Sequence, residues 1–238
     1  MSELKQFKDK HLGDTVILMA TGPTLNNFKD NLSENYYRCC VNGVIIHEEL
    51  VKNLNYYIWS GDIDIPKHPQ PGYHYIIKKI PNLGKKVTKF VNCWSDNSIT
   101  GIMNIQTQIH PDKAKELGFI RYNQVYKNVH TTKNFHKDLS CLESGPSAYS
   151  VAFHAMQILL YMGFKRIILV GFDCGGSHSY KKFDECKNDI CDWGSEINKD
   201  LVNYWKTFSH WMMKEYSDVV VEVIRPVGLK NIFKEYNN

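Results

Sequence analysis

No apolar run in the 238 residues approaches the roughly 18 that a membrane-spanning helix requires. The opening stretch, MSELKQFKDKHLGD, is too polar for a secretory signal. A cytoplasmic protein without a transmembrane segment is therefore expected, with a peripheral position at a membrane left open. There is no internal repeat, long linker or low-complexity stretch, so a single domain over 1–238 is expected, large enough to bury a sizeable core. Seven cysteines is an odd number without disulfide-framework spacing, which points to reduced thiols. Charge of one sign is also scarce. The net +4 is mild, and the lysine pairs at 78–79, 85–86 and 181–182 fit a solvated surface better than a nucleic-acid footprint. They would still favour an anionic donor or acceptor. The first glycine turn is neither a G-x-G-x-x-G fingerprint nor a phosphate-binding loop, since no Gly-Lys-Ser/Thr follows it.

What is present is a series of short buried strands ending in small polar loops. Residues 149–162 are apolar nearly all round and read as a buried helix, opened by Ser144, Gly145 and Pro146 and ended by Gly163. The β-branched run at 167–170 then reads as a central parallel strand. Ligands of open α/β sheets collect at the carboxyl ends of such strands, here Gly171, Asp173 and the 174–180 loop. A similar unit stands at 16–19, turning through Ala20-Thr21-Gly22-Pro23-Thr24-Leu25. Gly22 allows backbone to approach a ligand, and the N–H groups after Pro23 suit an anion; a plain βα connection reads equally well. Two further runs end in Asn42-Gly43 and Ser60-Gly61-Asp62, where either nucleoside contacts or ordinary turn chemistry fits. A mostly parallel Rossmann-like sheet with helices on both faces is expected, its strand ends converging on one edge. The 181–199 stretch, without periodicity, reads as part of a lid over 174–199 or as a solvated excursion. An amphipathic helix at 200–216, a strand at 219–224 and a short helix at 229–236 follow.

Among the histidines, His178 lies in the expected ligand loop and is the best-placed acid/base candidate. His154 falls on the buried helix as a core residue, while His47, His68, His74, His110, His130 and His136 sit on loops of open placement. Cys174, His178, Cys186 and Cys191 contain the right atoms for zinc but lack C-x2-C spacing. Asp62-Ile63-Asp64 has the letters of a metal motif and also those of a turn.

The strand and small-Gly-Pro-Thr-Leu turn, the strand ending in Asn42, and the later Ser144-Gly145, Met162-Gly163-Phe164-Lys165-Arg166-Ile167, Gly171-Phe172-Asp173, 177–180 and Phe183-Asp184 segments together resemble bacterial sialyltransferases of the Campylobacter lipooligosaccharide type. The same turns also resemble proteins akin to archaeal 6-hydroxymethylpterin diphosphokinase and the flagellin accessory factors. The resemblance covers about two-thirds of the chain and leaves 66–134 unmatched. It implies a GT-A-like single domain and transfer of a sialic acid-like sugar from a CMP-activated donor to an acceptor hydroxyl, on a glycan or elsewhere, by direct displacement. It further implies that Thr21, Gly22 and Pro23 meet the nucleotide, that Asn42 and Asp62 contact it, and that Ser144 and Gly145 bind nucleotide or sugar. Asp173 falls on the same donor side, and Tyr180 is implied to hold the leaving phosphate. No cofactor is required on this reading. The second family implies a magnesium-dependent ATP-binding enzyme or a non-catalytic nucleotide binder, with Asp62 and Asp173 as magnesium ligands. A homo-oligomer is compatible with either.

The chain departs from the sialyltransferase pattern in three places. Ala20-Thr21 replaces Gly-Asn, and Gly175 falls where the first of two phosphate-binding tyrosines is found. The 192–200 segment lacks the histidine that serves that family as general base. His178 then becomes the base candidate, with Asp189 and Asp192 as carboxylate alternatives.

Overall fold

The computed structural model describes residues 3–60, 71–93, 111–123, 135–140, 150–187 and 196–237. Its strands are β1 (Thr15–Met19), β2 (Tyr37–Val41), β3 (Tyr56–Trp59), β4 (Thr88–Cys93), β5 (Phe119–Asn123), β6 (Arg166–Val170), β7 (Val220–Val223) and β8 (Lys234–Glu235). They form one eight-stranded sheet in the order β5-β4-β3-β2-β1-β6-β7-β8. Every pairing is parallel. The chain therefore builds outward from β1 to β5, returns to the other side of β1 with β6, and builds outward again.

Parallel strands need crossovers on both faces, and the strand residues alternate accordingly between two cores. Val16, Leu18, Cys39, Ile58, Phe90, Ile167 and Leu169 face a core built with α3 (Val151–Tyr161) and α4 (Lys199–Glu215). Ile17, Met19, Cys40, Tyr57, Trp59, Val91, Ile168 and Val170 face the opposite core, which takes in α1 (Pro71–Lys79) and Ala114 of α2 (Pro111–Glu116). The fold is thus the expected α/β Rossmann-like single domain with helices on both faces. No helix among the described residues is long and apolar enough to cross a membrane.

Two boundaries differ from expectation. Helix α3 starts at Val151, where the Ser150 hydroxyl accepts from the Ala152 N–H at 3.2 Å. Ser144, Gly145 and Pro146 lie outside the described residues. The closing segment is not a helix either: Asn231 takes a left-handed φ of 65°, and Lys234–Glu235 pairs with β7. Edge pairing there satisfies the backbone that a free helical turn would leave to water. Helix α4 matches the aromatic stripe, burying Tyr204, Trp205, Phe208, Trp211 and Met212, with the Trp205 and Phe153 rings 4.3 Å apart.

Candidate functional site

Strand order reverses at β1, and the parallel pair β1 and β6 leaves a crevice beyond its carboxyl ends, where this class of sheet takes its ligands. The turns leaving the two strands interlock. Ala20 N donates to Val170 O at 2.8 Å, and Gly22 N donates to Gly171 O, also at 2.8 Å. A side chain at Gly22 would meet Gly171 O and the Asp173 carboxylate, each at 2.5 Å, so the residue must be glycine for the turns to approach this closely. Around them lies a cleft lined by Thr21, Gly22, Gly171, Asp173, the 174–178 loop, Ser150, Ala152, Asn198, Leu201 and Trp205.

Its walls combine a backbone-rich loop with the first turns of two long helices. Ser150 caps α3, and Asn198 caps α4 by accepting from Leu201 N at 3.0 Å. Both helix N-termini carry partial positive charge, which favours an anion in the cleft between them. Among the described lining residues there is no lysine or arginine, and the titratable side chains are Asp173, Cys174 and His178.

Asp173 works as a brace. Its two oxygens accept from Thr24 N at 2.7 Å and from Thr24 Oγ1 at 2.6 Å, which ties the Pro23–Asn27 turn to the end of β6. Burial raises its pKa, against the lowering effect of the Thr24 hydrogen bonds. Burial also pushes the Cys174 thiol up to about 12, so it stays protonated and a weak nucleophile. His178 is half-buried, its Nδ1 3.0 Å from Thr21 Oγ1 and its ring stacked on Tyr180 at a 4.8 Å centroid distance.

Of the residues expected to share a site, the cleft gathers Thr21, Gly22, Asp173 and His178. Pro23 stands just behind, facing Gly176. Tyr180 is 2% exposed and lies behind His178, outside the cleft lining. Asn42 is also outside it: its side chain accepts from Ser60 N at 3.0 Å and donates to Ser60 O at 3.3 Å, joining the ends of β2 and β3. Asp62, Ser144, Gly145, Asp189 and Asp192 lie outside the described residues. Within the expected lid, Cys174 O accepts from Asn198 N at 2.7 Å and Gly175 bridges Ile197, so the two ends of 174–199 are held together. Among the described residues no three metal-binding side chains come together; Cys191 is not among the described residues.

No protein-family model matches the chain, and no curated protein matches it.

His47, a residue of open placement, lies behind the cleft lining. His47 is wholly buried, with Nε2 3.2 Å from Ser179 Oγ, beside His178 in sequence. Its only signal in the sequence is position: a histidine closing the apolar run 44–46. His154, as expected, is a core residue, with Nδ1 2.8 Å from Tyr122 Oη.

Burial pushes His47 down to about 4 and His154 down to about 3. Both folded values lie below the unfolded value near 6.5, so below that pH the unfolded chain takes up protons that the folded chain refuses. Stability is thus complete above about pH 6.5 and falls on acidification at about 1.4 kcal/mol per pH unit for each group, until each folded value is passed. Thermal melts between pH 7 and 4 should show this loss, and His154→Phe should make it shallower. A Tm independent of pH across that window would contradict the assignment.

Proposed function

We propose that the protein is a sialyltransferase-like glycosyltransferase that transfers a sugar from a CMP-activated donor to an acceptor hydroxyl. The observation that carries this reading is the cleft at the strand-order reversal, where the Gly22 turn, two helix N-termini and an imidazole converge. A monoanionic phosphodiester joined to a nucleoside suits such a cleft, because backbone N–H groups and helix ends meet its charge. Anionic donors with one phosphate need less cationic lining than a triphosphate.

In the reaction, the acceptor oxygen attacks the anomeric carbon while the bond from that carbon to the phosphate oxygen breaks. CMP leaves with the bonding pair, and the acceptor's proton passes to His178. That role requires the tautomer with Nδ1–H donating to Thr21 Oγ1, which leaves the lone pair on Nε2. The starts of α3 and α4 oppose the charge growing on the departing phosphate. The sugar acceptor is a glycan or another hydroxyl compound, and the reaction is placed in the cytoplasm.

CMP should raise the Tm without added metal, and more than ATP with magnesium does. A ligand at about 100 times its Kd adds about 2.7 kcal/mol, or roughly 5–10 °C for a chain of this size. A magnesium-dependent ATP shift with no CMP effect would favour the diphosphokinase-like reading instead.

A further inference from the structure

The turn that presents His178 is held from below by a residue that packing alone does not call for. His47 follows the 3-10 turn Asn42–Ile46, its N–H donating to Val44 O at 3.0 Å and its carbonyl accepting from Leu50 N at 2.9 Å. The imidazole is 0% exposed, stands edge-on to the Phe183 ring at 5.2 Å, and has no hydrogen-bond partner at Nδ1 among the described residues. An aromatic hydrocarbon of similar shape would fill that space without burying an unpaired nitrogen. What the imidazole adds is the Nε2 contact with Ser179 Oγ, a hydroxyl that is itself wholly buried.

Ser179 is the midpoint of the turn. Its N–H donates to Thr21 O at 2.6 Å, while the preceding residue, His178, meets Thr21 Oγ1. The following residue, Tyr180, stacks on His178 and covers Gly43, where an added Cβ would lie 2.5 Å from the Tyr180 ring. Gly43 and His47 belong to one continuous stretch after β2. That stretch therefore supports 178–180 at two points, a ring contact and a hydrogen bond.

We propose that His47 is a positioning residue of the cleft: through Ser179 it fixes the turn that sets the His178 ring against Thr21. The inference rests on the reading of His178 as a cleft group in the proposed reaction. Burial and the nearby Lys182, opposed by Glu49, hold the ring down at about 4, so it is neutral at working pH. The Lys79–Glu48 ion pair links α1 to the same stretch. In the neutral ring, a Ser179 hydroxyl donating to Nε2 leaves the proton on Nδ1.

The test uses the full chain labelled with 15N-histidine, comparing wild type with His47→Phe, Ser179→Ala and His47→Gln. His47→Phe keeps the ring and removes the hydrogen bond, whereas the glutamine amide can still reach the hydroxyl. His47→Phe and Ser179→Ala are expected to move the His178 titration midpoint by about half a pH unit or more. Both should lower kcat with a CMP-sugar about tenfold with KM little changed, and His47→Gln should restore both readouts toward wild type. An unchanged His178 midpoint in folded His47→Phe and Ser179→Ala overturns the proposal, and so does unfolding of both, which would make His47 a core residue only. The titration needs no substrate. A shifted midpoint in a protein that turns over no CMP-sugar therefore sinks the functional reading and leaves the positioning role standing, and turnover without a shift does the reverse.

Discussion

His178→Ala is expected to lower turnover of a CMP-sugar by about 100- to 10,000-fold, the range of a lost general base. The fold should survive, because the ring is half-buried at the rim of the cleft, where it meets Thr21 Oγ1 and stacks on Tyr180. The acidic limb of the kcat–pH profile should flatten, since that limb reports protonation of the base in the enzyme–substrate complex. Stopped assays of CMP release across pH 5–9 would measure both effects. Near-normal turnover in the variant, with collapse in Asp189→Asn or Asp192→Asn, would move the base to a carboxylate. No turnover in wild type with any CMP-, UDP- or GDP-sugar would remove the glycosyltransferase reading altogether.

Gly22→Ala should have the largest structural effect. The added methyl would sit 2.5 Å from Gly171 O and from the Asp173 carboxylate, about 1 Å inside ordinary contact. Neither neighbour can step aside cheaply. Gly171 O accepts the Gly22 N–H, the Asp173 oxygens hold Thr24, and Gly171 itself packs against Ala20 O in a left-handed φ of 73°. Overpacking of this kind costs about 1–3 kcal/mol, which for this chain length lowers Tm by roughly 2–12 °C. The thermal shift from CMP should disappear as well, because the turn must open where the phosphate is expected. Gly84→Ala, with no heavy atom within 4 Å of the added methyl, is the control and should melt as wild type. Calorimetry with and without CMP decides; a wild-type Tm and CMP shift in Gly22→Ala would show that the interlock is dispensable.

The central strands were legible because they are buried on both faces. Residues 16–19, 56–59 and 167–170 carry no polar alternation, and each falls within one residue of the observed strand. Strands β4 and β5 were not, because they lie toward the sheet edge and mix Lys89, Asn92 and Arg121 with their apolar residues. The glycine turns could be read as a shared edge, since a parallel sheet brings all strand ends together. Their side-chain bookkeeping could not. Asp173 and Thr24 are 149 residues apart and His47 and Ser179 are 132 apart, so nothing local marks Asp173 as a brace or His47 as a support. Asn42 reads as a nucleoside contact until Ser60 is seen to take both ends of its amide.

The placement of β1 in mid-sheet also orders events in time. Its partner β2 follows within about 20 residues, but Met19 pairs with Val170, 151 residues later. A ribosome adding roughly 5–20 residues per second finishes β5 about 2–10 s before it finishes β6. Over that interval β1 offers a bare row of N–H and C=O groups to any passing strand. Such late, distant pairing also slows folding. The cleft, made from both turns, can hold no ligand until β6 docks. A nascent chain is therefore exposed to mispairing along the seam at whose end the binding site later forms, and a chaperone that shields that edge of β1 should raise the yield of active protein more than one acting on the finished chain.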